Sequence, residues 1–108
     1  MTVKELAAKY SFEILSMPEP DKEIEGGYIG DLLSWVMGRA EADNAWITIM
    51  SNVNVLAVAS LADVSCVILA EGVTLDAEVL ATAAEKSVNI ISSELSAFEI
   101  ASKLVGNV

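Results

Sequence analysis

Short polar residues follow three apolar segments that are predicted to be strands, and these residues are the best placed in the chain to bind a ligand. Parallel strands present their carboxyl ends and the next helix N-termini at one edge of a sheet, so we expect these residues to lie near one another. Neutral donors and free helix N-termini would suit a weakly charged ligand better than a polyphosphate, which would need Arg or Lys. The alternative is that the same residues are simply helix caps. The candidate ligand-binding residues are Ser51, Asn52, Asn54, Glu71, Gly72, Ser92, Ser93 and Ser96.

Residues for the common catalytic chemistries are missing. The chain has no histidine, which removes the most frequent general base and the most frequent metal ligand. Cys66 therefore has no imidazole to activate it, and neither GxSxG nor Ser-x-x-Lys occurs. The acidic loop Met17–Gly27 lacks the ligand spacing of a calcium loop, and the glycines of Gly26–Gly30 lack the spacing of a phosphate-binding loop. We predict no catalytic residue, no metal and no cofactor.

The charge of the chain argues against two classes of partner. Sixteen acidic residues against six basic ones give a formal net charge of −10, which repels nucleic acid and anionic lipid headgroups. The segment Val53–Ala70 is the only candidate for a membrane span, but Asp63 lies in its middle, so we interpret it as buried interior. A single cysteine forms no internal disulfide, and no signal-like segment precedes the first amphipathic stretch, so we expect a cytoplasmic protein.

The predicted fold is organised around a β-α-β unit. The strands Trp46–Met50 and Ser65–Ala70 are continuous apolar runs, as expected of parallel strands buried on both faces, and the apolar helix Val53–Ala62 joins them. We predict an α/β fold of three layers, with a mainly parallel sheet of about four or five strands flanked by helices, as a single domain over residues 1–108. The other predicted elements are helices Val3–Tyr10, Leu32–Ala40, Leu75–Lys86 and one that opens at Ser96 and stops at Gly106, strands Ser11–Ser16 and Asn89–Ser92, and the loop Met17–Gly27.

Local signals predict how these helices begin. Thr2 with Glu5 and Ser96 with Glu99 have the spacing of capping boxes. Further predicted N-caps are Asp31, Thr74 and either Ser51 or Asn52.

Two features predict contact with a second chain. The helix Val53–Ala62 is apolar all round, while a sheet covers only one side of it, so the other side needs a partner. That partner is either a second copy of the chain or the first or last helix of the same chain. Trp35 lies off the apolar stripe of its own helix, which indicates a covering loop or another chain. The candidate dimer-interface residues are Trp35, Val55, Leu56 and Ala59.

Several segments together resemble a known family. The segments Gly26–Met37 (GGYIGDLLSWVM), Trp46–Thr48, Asn54–Ala59 (NVLAVA) and Ser96–Glu99 resemble, in order and spacing, the stand-alone DRTGG-domain proteins of bacteria and archaea. The resemblance covers nearly the whole chain. Asp21, Gly26 and Gly27 hold the places of the acid and glycines of the string that names the family, with no Arg or Thr in register.

The resemblance implies a fold and a role. The implied fold is similar to the N-terminal domain of HPr kinase/phosphorylase, which lacks the kinase site. The implied role is that of a dimerising and regulatory module, as in CBS-domain pyrophosphatases, connected with redox enzymes of the iron hydrogenase type. We therefore predict a non-catalytic regulatory or protein-interaction domain that acts as a homodimer. The alternative hypothesis is a domain that senses a small ligand, such as an adenine nucleotide.

Overall fold

Five helices and five strands make up the fold, and the computed structural model describes residues 1–108. The strands lie in one sheet in the order β1-β5-β4-β3-β2, in which β2 to β5 are parallel and β1 is antiparallel to β5. The predicted α/β class with a mainly parallel sheet is confirmed. The elements are α1 (Val3–Tyr10), β1 (Glu13–Ser16), β2 (Gly27–Ile29), α2 (Leu33–Arg39), β3 (Ala45–Thr48), α3 (Asn54–Ala62), β4 (Cys66–Leu69), α4 (Ala77–Glu85), β5 (Ile90–Ser92) and α5 (Ala97–Leu104).

The strand order explains how the helices divide between the two faces of the sheet. β2, β3, β4 and β5 are consecutive neighbours, so each right-handed crossover moves in the same direction and places its helix on the same face. The core on that face joins α2, α3 and α4 to the sheet through residues such as Val36, Leu56, Ala83, Trp46, Val67 and Ile90. The core on the opposite face joins α1 and α5 to the sheet through Leu6, Ile100, Leu104, Ile47, Ile68 and Ile91. The chain is a three-layer α/β/α sandwich.

The central strands are buried throughout, as continuous apolar runs predict. Every residue of β3 and β4 is buried, and Ala45 pairs with Cys66 while Trp46 pairs with Val67. β1 lies at one edge of the sheet, as its alternating pattern predicted. β2 forms the other edge, and the sequence interpretation missed it because Gly26–Asp31 was assigned to a turn.

The two predicted capping boxes are present. The Thr2 hydroxyl accepts from Glu5 N at 3.1 Å, and Glu5 Oε1 accepts from Thr2 N at 2.9 Å. At α5 the Ser96 hydroxyl accepts from Glu99 N, and Glu99 Oε1 accepts from Ser96 N, both at 3.2 Å. Local patterns were sufficient to predict these two capping boxes because the donor and the acceptor lie within one helical turn of each other.

Two other predicted caps are wrong. The N-cap of α2 is Leu32, which has no capping side chain, and Asp31 is bonded elsewhere. The N-cap of α4 is Asp76 rather than Thr74. At the start of α3 the backbone of Val53 is already helical, and Asn52 Oδ1 accepts from Asn54 N at 2.9 Å, so Asn52 supplies the side-chain bond predicted there.

The structure also corrects the predicted dimer contact of α3. Val55, Leu56 and Ala59 are 2%, 0% and 2% exposed, because the sheet and the neighbouring helices of the same chain cover them. These three side chains are not available to a second copy. The outer side of α3 carries small or polar residues apart from Leu61, so no large apolar surface is left that would require a partner.

The last helix differs from its predicted inward face. The spacing of Phe98, Ala101, Leu104 and Val105 predicts an inward face, but Phe98 and Val105 are 82% and 78% exposed. The inward side chains of α5 are Ile100 and Leu104, with Ala101 partly buried beside them. Because Ala101 and Leu104 belong to both sets, the actual stripe is rotated by only about a sixth of a turn from the predicted one.

Candidate functional site

The strand order creates one place at the carboxyl edge where neighbouring loops diverge. The loop after β4 leads to α4 on one face, while the loop after β5 leads to α5 on the other face. Such a divergence is the topological switch point at which open parallel sheets form their ligand crevices. Residues in the loops after β4 and β5 are therefore the first candidates for a binding site.

Hydrogen bonds between these two loops fix their positions. Glu71 N donates to Leu95 O and Gly72 N donates to Ser93 O, each at 2.9 Å. Ser93 N donates back to Leu69 O, also at 2.9 Å. The turn after β4 has left-handed backbone at both Glu71 (φ 60°) and Gly72 (φ 71°). The backbone N–H groups of Glu71, Gly72 and Ser93 are thus already paired within the protein.

A polar cavity of about 470 Å³ lies beside these loops, and we refer to it as the switch-point cavity. The connection from α1 to β1 closes its other side, because β1 starts at this edge with Glu13 directly opposite Ser92 of β5. No lysine or arginine lines the cavity. Its polar lining residues are Ser11, Glu13, Thr74, Ser92, Ser93 and Glu94.

Ser92 is the most enclosed polar residue of this lining. It is 7% exposed, and no hydrogen bond of its hydroxyl is formed within the chain, although the hydroxyl is reachable from the cavity. The neighbouring Ser93 hydroxyl accepts from Leu95 N at 3.1 Å. The hydroxyl of Ser92 is thus reachable by solvent and unpaired within the chain, so water or a ligand in the cavity can complete its bonding.

Two carboxylates, those of Glu13 and Glu94, line the cavity, and Gly72 allows the carboxylate of Glu94 to approach the loop closely. A Cβ atom at this position would lie 2.5 Å from Oε2 of Glu94. The positive φ of Gly72 also disfavours any other residue there. Neither Glu13 nor Glu94 forms a salt bridge, since the two ion pairs of the chain join Met1 to Glu23 and Lys22 to Asp63.

The structure divides the predicted ligand-binding residues between two locations. Gly72, Ser92 and Ser93 come together at the switch-point cavity. Ser51 and Asn52 instead line a second polar cavity of about 390 Å³ between α3 and α4, together with Asp76 and Glu78.

The remaining predicted ligand-binding residues have structural roles. Asn54 N donates to Asn52 Oδ1 at 2.9 Å, in a turn that leads into α3. Glu71 is part of the left-handed turn, and Ser96 is the N-cap of α5.

The N-termini of α4 and α5 are not free, contrary to expectation, whereas α3 starts without a carboxylate. Asp76 Oδ1 accepts from Val79 N at 3.0 Å at the start of α4, and Glu99 occupies the start of α5. Each of these two helices therefore already holds a carboxylate where an anionic ligand would have to bind.

Seven of the ten residues that line the cavity were not among the predicted ligand-binding residues. Tyr10, Ser11 and Glu13 come from the connection between α1 and β1, Val73 and Thr74 from the loop after β4, and Glu94 and Leu95 from the loop after β5. The alternating pattern of residues 11–16 did predict an edge strand, but it carried no signal that this strand runs antiparallel beside β5.

Asp31 holds the loop after β2 against the end of β3. Its Oδ1 accepts from the buried Thr48 hydroxyl at 2.7 Å and from Ile49 N at 3.0 Å. The residue predicted to cap a helix thus joins two neighbouring strand ends at the carboxyl edge.

The one thiol is unsuited to nucleophilic chemistry. Cys66 is fully buried in the core, and burial raises its pKa to about 12, so the reactive thiolate does not form near neutral pH. No group of three or more His, Cys, Asp or Glu residues is arranged to hold a metal ion.

Trp35 is exposed, so no loop of the same chain covers it, and contact with another chain stays a prediction. Its side chain is on the outside of α2 at 53% exposure, and the Arg39 guanidinium carbon lies 3.8 Å from the ring centroid. That stacking holds the indole flat on the helix surface.

Comparison with known proteins identifies the family. The family model of the DRTGG domain matches residues 29–106, so the chain belongs to the DRTGG-domain family. The match begins after Asp21, Gly26 and Gly27, the three residues that hold the places of the name string. Comparison with curated proteins finds no match. No helix of the structure has the length and apolar character needed to cross a membrane.

A solved structure shares the fold. It contains the CBS and DRTGG domains of the regulatory region of Clostridium perfringens pyrophosphatase, in complex with the activator diadenosine tetraphosphate. The TM-score is 0.72 at 16% sequence identity, and the match covers 96% of this chain. It covers 45% of the other chain, so this chain corresponds to less than half of that regulatory region.

Proposed function

We propose that the chain is a non-catalytic regulatory domain that acts as a homodimer. The observation that carries this proposal is the exposed apolar surface at the β2 edge of the sheet. Ile29 of β2 is 50% exposed, and Leu32 and Trp35, which follow β2 at the start of α2, are 58% and 53% exposed. Large apolar side chains left exposed beside an unpaired sheet edge are typical of protein contact sites.

The geometry of α2 supports a contact at this edge. Leu32 and Trp35 are three residues apart and therefore lie on the same side of the helix start, while Val36 faces the core. The indole and the stacked Arg39 together offer the residue types that are enriched at interfaces. β2 has no neighbour on its outer side, so a two-fold axis beside this edge would bring the same surface of two copies together.

On this proposal the dimer presents its other surfaces to a target enzyme. The family resemblance supports a redox enzyme of the iron hydrogenase type as that target, in a cytoplasm where Cys66 stays unpaired. Co-elution of the purified dimer with such an enzyme tests the target. If the two elute separately at micromolar concentration, this choice of target is incorrect, and the dimer proposal is unaffected.

Sedimentation equilibrium at micromolar concentration tests the dimer. We expect the chain to sediment at twice its monomer mass, and the double variant Leu32→Ser with Trp35→Ser to sediment as a monomer with an unchanged circular dichroism spectrum. Leu61→Ser is the matched control, since Leu61 is 73% exposed on α3, away from the β2 edge. A wild-type monomer, or an equal effect of the control, would refute the proposed interface.

The second candidate function is the sensing of a small ligand, and the sequence analysis suggests an adenine nucleotide as that ligand. The polar cavity at the switch point favours ligand sensing in general, whereas the nucleotide itself is favoured only by the activator in the related regulatory region. A thermal-shift titration with ATP and with diadenosine tetraphosphate tests it. At a hundred times the dissociation constant, a bound ligand stabilises a protein by about 2.7 kcal/mol, so an unchanged melting temperature would exclude these nucleotides.

A further inference from the structure

The switch-point cavity differs in chemistry from a nucleotide site. We infer that it binds a small organic cation with a primary ammonium group. The inference specifies the ligand class for the second candidate function, ligand sensing, and is independent of the dimer. It rests on the geometry of Ser92, Glu13 and Glu94 and on the pairing of the surrounding backbone.

The unpaired hydroxyl of Ser92 belongs to a residue that is 93% buried and lines the cavity. The hydroxyl itself is reachable by solvent and has no partner within the chain, so a ligand atom in the cavity can bond to it in place of water. A hydroxyl alone does not set the charge of the ligand, because it both donates and accepts.

The carboxylates of Glu13 and Glu94 determine which sign of charge the ligand should carry. Glu13 lies directly across from Ser92 in the register of β1 and β5, and Glu94 follows two residues after Ser92. Both line the cavity and neither is neutralised by a salt bridge. The two lysines over the ring of Tyr10, Lys9 and Lys103, do not line it. The cavity therefore offers two negative charges and no positive one.

The backbone reinforces this preference. The N–H groups of Glu71, Gly72 and Ser93, which could have bound a phosphate, donate instead to carbonyl groups of the two loops. The starts of α4 and α5 already hold carboxylates. The charged groups that remain in the lining are two carboxylates, beside hydroxyls that can accept as well as donate, and an ammonium group, with three donors and no acceptor, is complementary to them.

The size of the cavity favours an organic ion over a metal ion. About 470 Å³ lies in the range of small-molecule sites and is many times the volume of one water molecule. No cluster of metal-binding side chains is present there. The net charge of −10 adds long-range attraction for cations and repulsion for anions.

The experiment follows the amide resonances of the ¹⁵N-labelled chain during titration with 1,4-diaminobutane at constant ionic strength. We expect saturable shifts around Gly72, Thr74 and Ser93, and no shifts with the neutral analogue 1,4-butanediol. Glu13→Gln and Glu94→Gln should each weaken binding about tenfold, which is the effect of losing one charge-assisted hydrogen bond. Ser92→Ala should weaken binding without lowering the melting temperature, because its hydroxyl has no partner in the free protein.

Glu85→Gln is the control for a general change of charge. It removes one exposed carboxylate from the end of α4, outside the switch-point cavity, and should leave the affinity for 1,4-diaminobutane unchanged. Equal weakening by this control, or no saturable shift with 1,4-diaminobutane, would overturn the inference. Binding of ATP that becomes tighter in Glu94→Gln would also overturn it, while leaving ligand sensing itself in place.

Discussion

Asn89 holds together the amino edge of the sheet, and its replacement should be among the most damaging single changes to this fold. The side chain is 2% exposed. Its Oδ1 accepts from Glu19 N at 2.9 Å, while its Nδ2 donates to Glu19 O at 2.7 Å and to Ser65 O at 3.0 Å. One amide thus fastens the loop between β1 and β2 to the residues that precede β4 and β5.

The expected loss of stability follows from the hydrogen-bonding groups that Asn89→Ala would leave without their partner. Glu19 is exposed, so water can replace the two bonds there, at about 1 kcal/mol each. Ser65 is 1% exposed, and a buried carbonyl that loses a partner costs about 1–3 kcal/mol. The expected loss in the free energy of unfolding is about 3 kcal/mol, which corresponds to a fall in melting temperature of about 12–20 °C for a domain of this size.

Urea unfolding followed by circular dichroism measures this loss, at one protein concentration because dimer formation would make stability concentration-dependent. Asn107→Ala is the matched control, since that exposed asparagine makes a single bond to Lys103 O at 3.0 Å. The control should lose less than about 0.5 kcal/mol. If Asn89→Ala loses no more than the control, the network around Glu19 does not stabilise the amino edge as argued.

Two further predictions concern the core thiol and the start of α5. Burial raises the pKa of Cys66 from 9.0 to about 12, so above pH 9 the unfolded chain loses this proton before the folded chain does. Stability should then fall by about 1.4 kcal/mol per pH unit from this group, and urea unfolding between pH 8 and pH 10 should show a shallower decline for Cys66→Ala. Ser96→Ala should lower the free energy of unfolding by about 1 kcal/mol through loss of the cap, without changing the affinity for 1,4-diaminobutane. A loss of affinity in Ser96→Ala would mean that this residue also contacts the ligand.

Features of the fold that depend on local pattern could be predicted from the sequence. The continuous apolar runs at β3 and β4 and the capping boxes at Thr2 and Ser96 are set by residues within a few positions of one another. β2 could not be predicted in this way. It has three residues, one of them a glycine, and it exists because Gly27–Ile29 pairs with β3. Pairing with a distant strand leaves no periodic signal in so short a segment.

Helix caps and buried helix faces were also mispredicted where they depend on contacts between residues far apart in the chain. Asp31 has the residue type and position of an N-cap, but its carboxylate binds Thr48, 17 residues away. The helix Val53–Ala62 is apolar all round, and composition alone did not show that its large side chains would be covered within the chain. Burial of Val55 and Leu56 comes from the placement of α2 and the sheet, which is a property of topology rather than of the helix.

The same reasoning explains why only part of the candidate site could be predicted. The loops after β3, β4 and β5 are equivalent in sequence terms, since each follows an apolar strand and precedes a helix. These loops differ in the face of the sheet on which the following helix packs. The loops after β3 and β4 both lead to the face of the sheet on which α3 and α4 pack, so these two loops run side by side. Ser51 and Asn52 therefore lie apart from the crevice. The loop after β5 leads to the opposite face, so only Gly72, Ser92 and Ser93 border the divergence, where Glu13 and Glu94 give the crevice its negative charge.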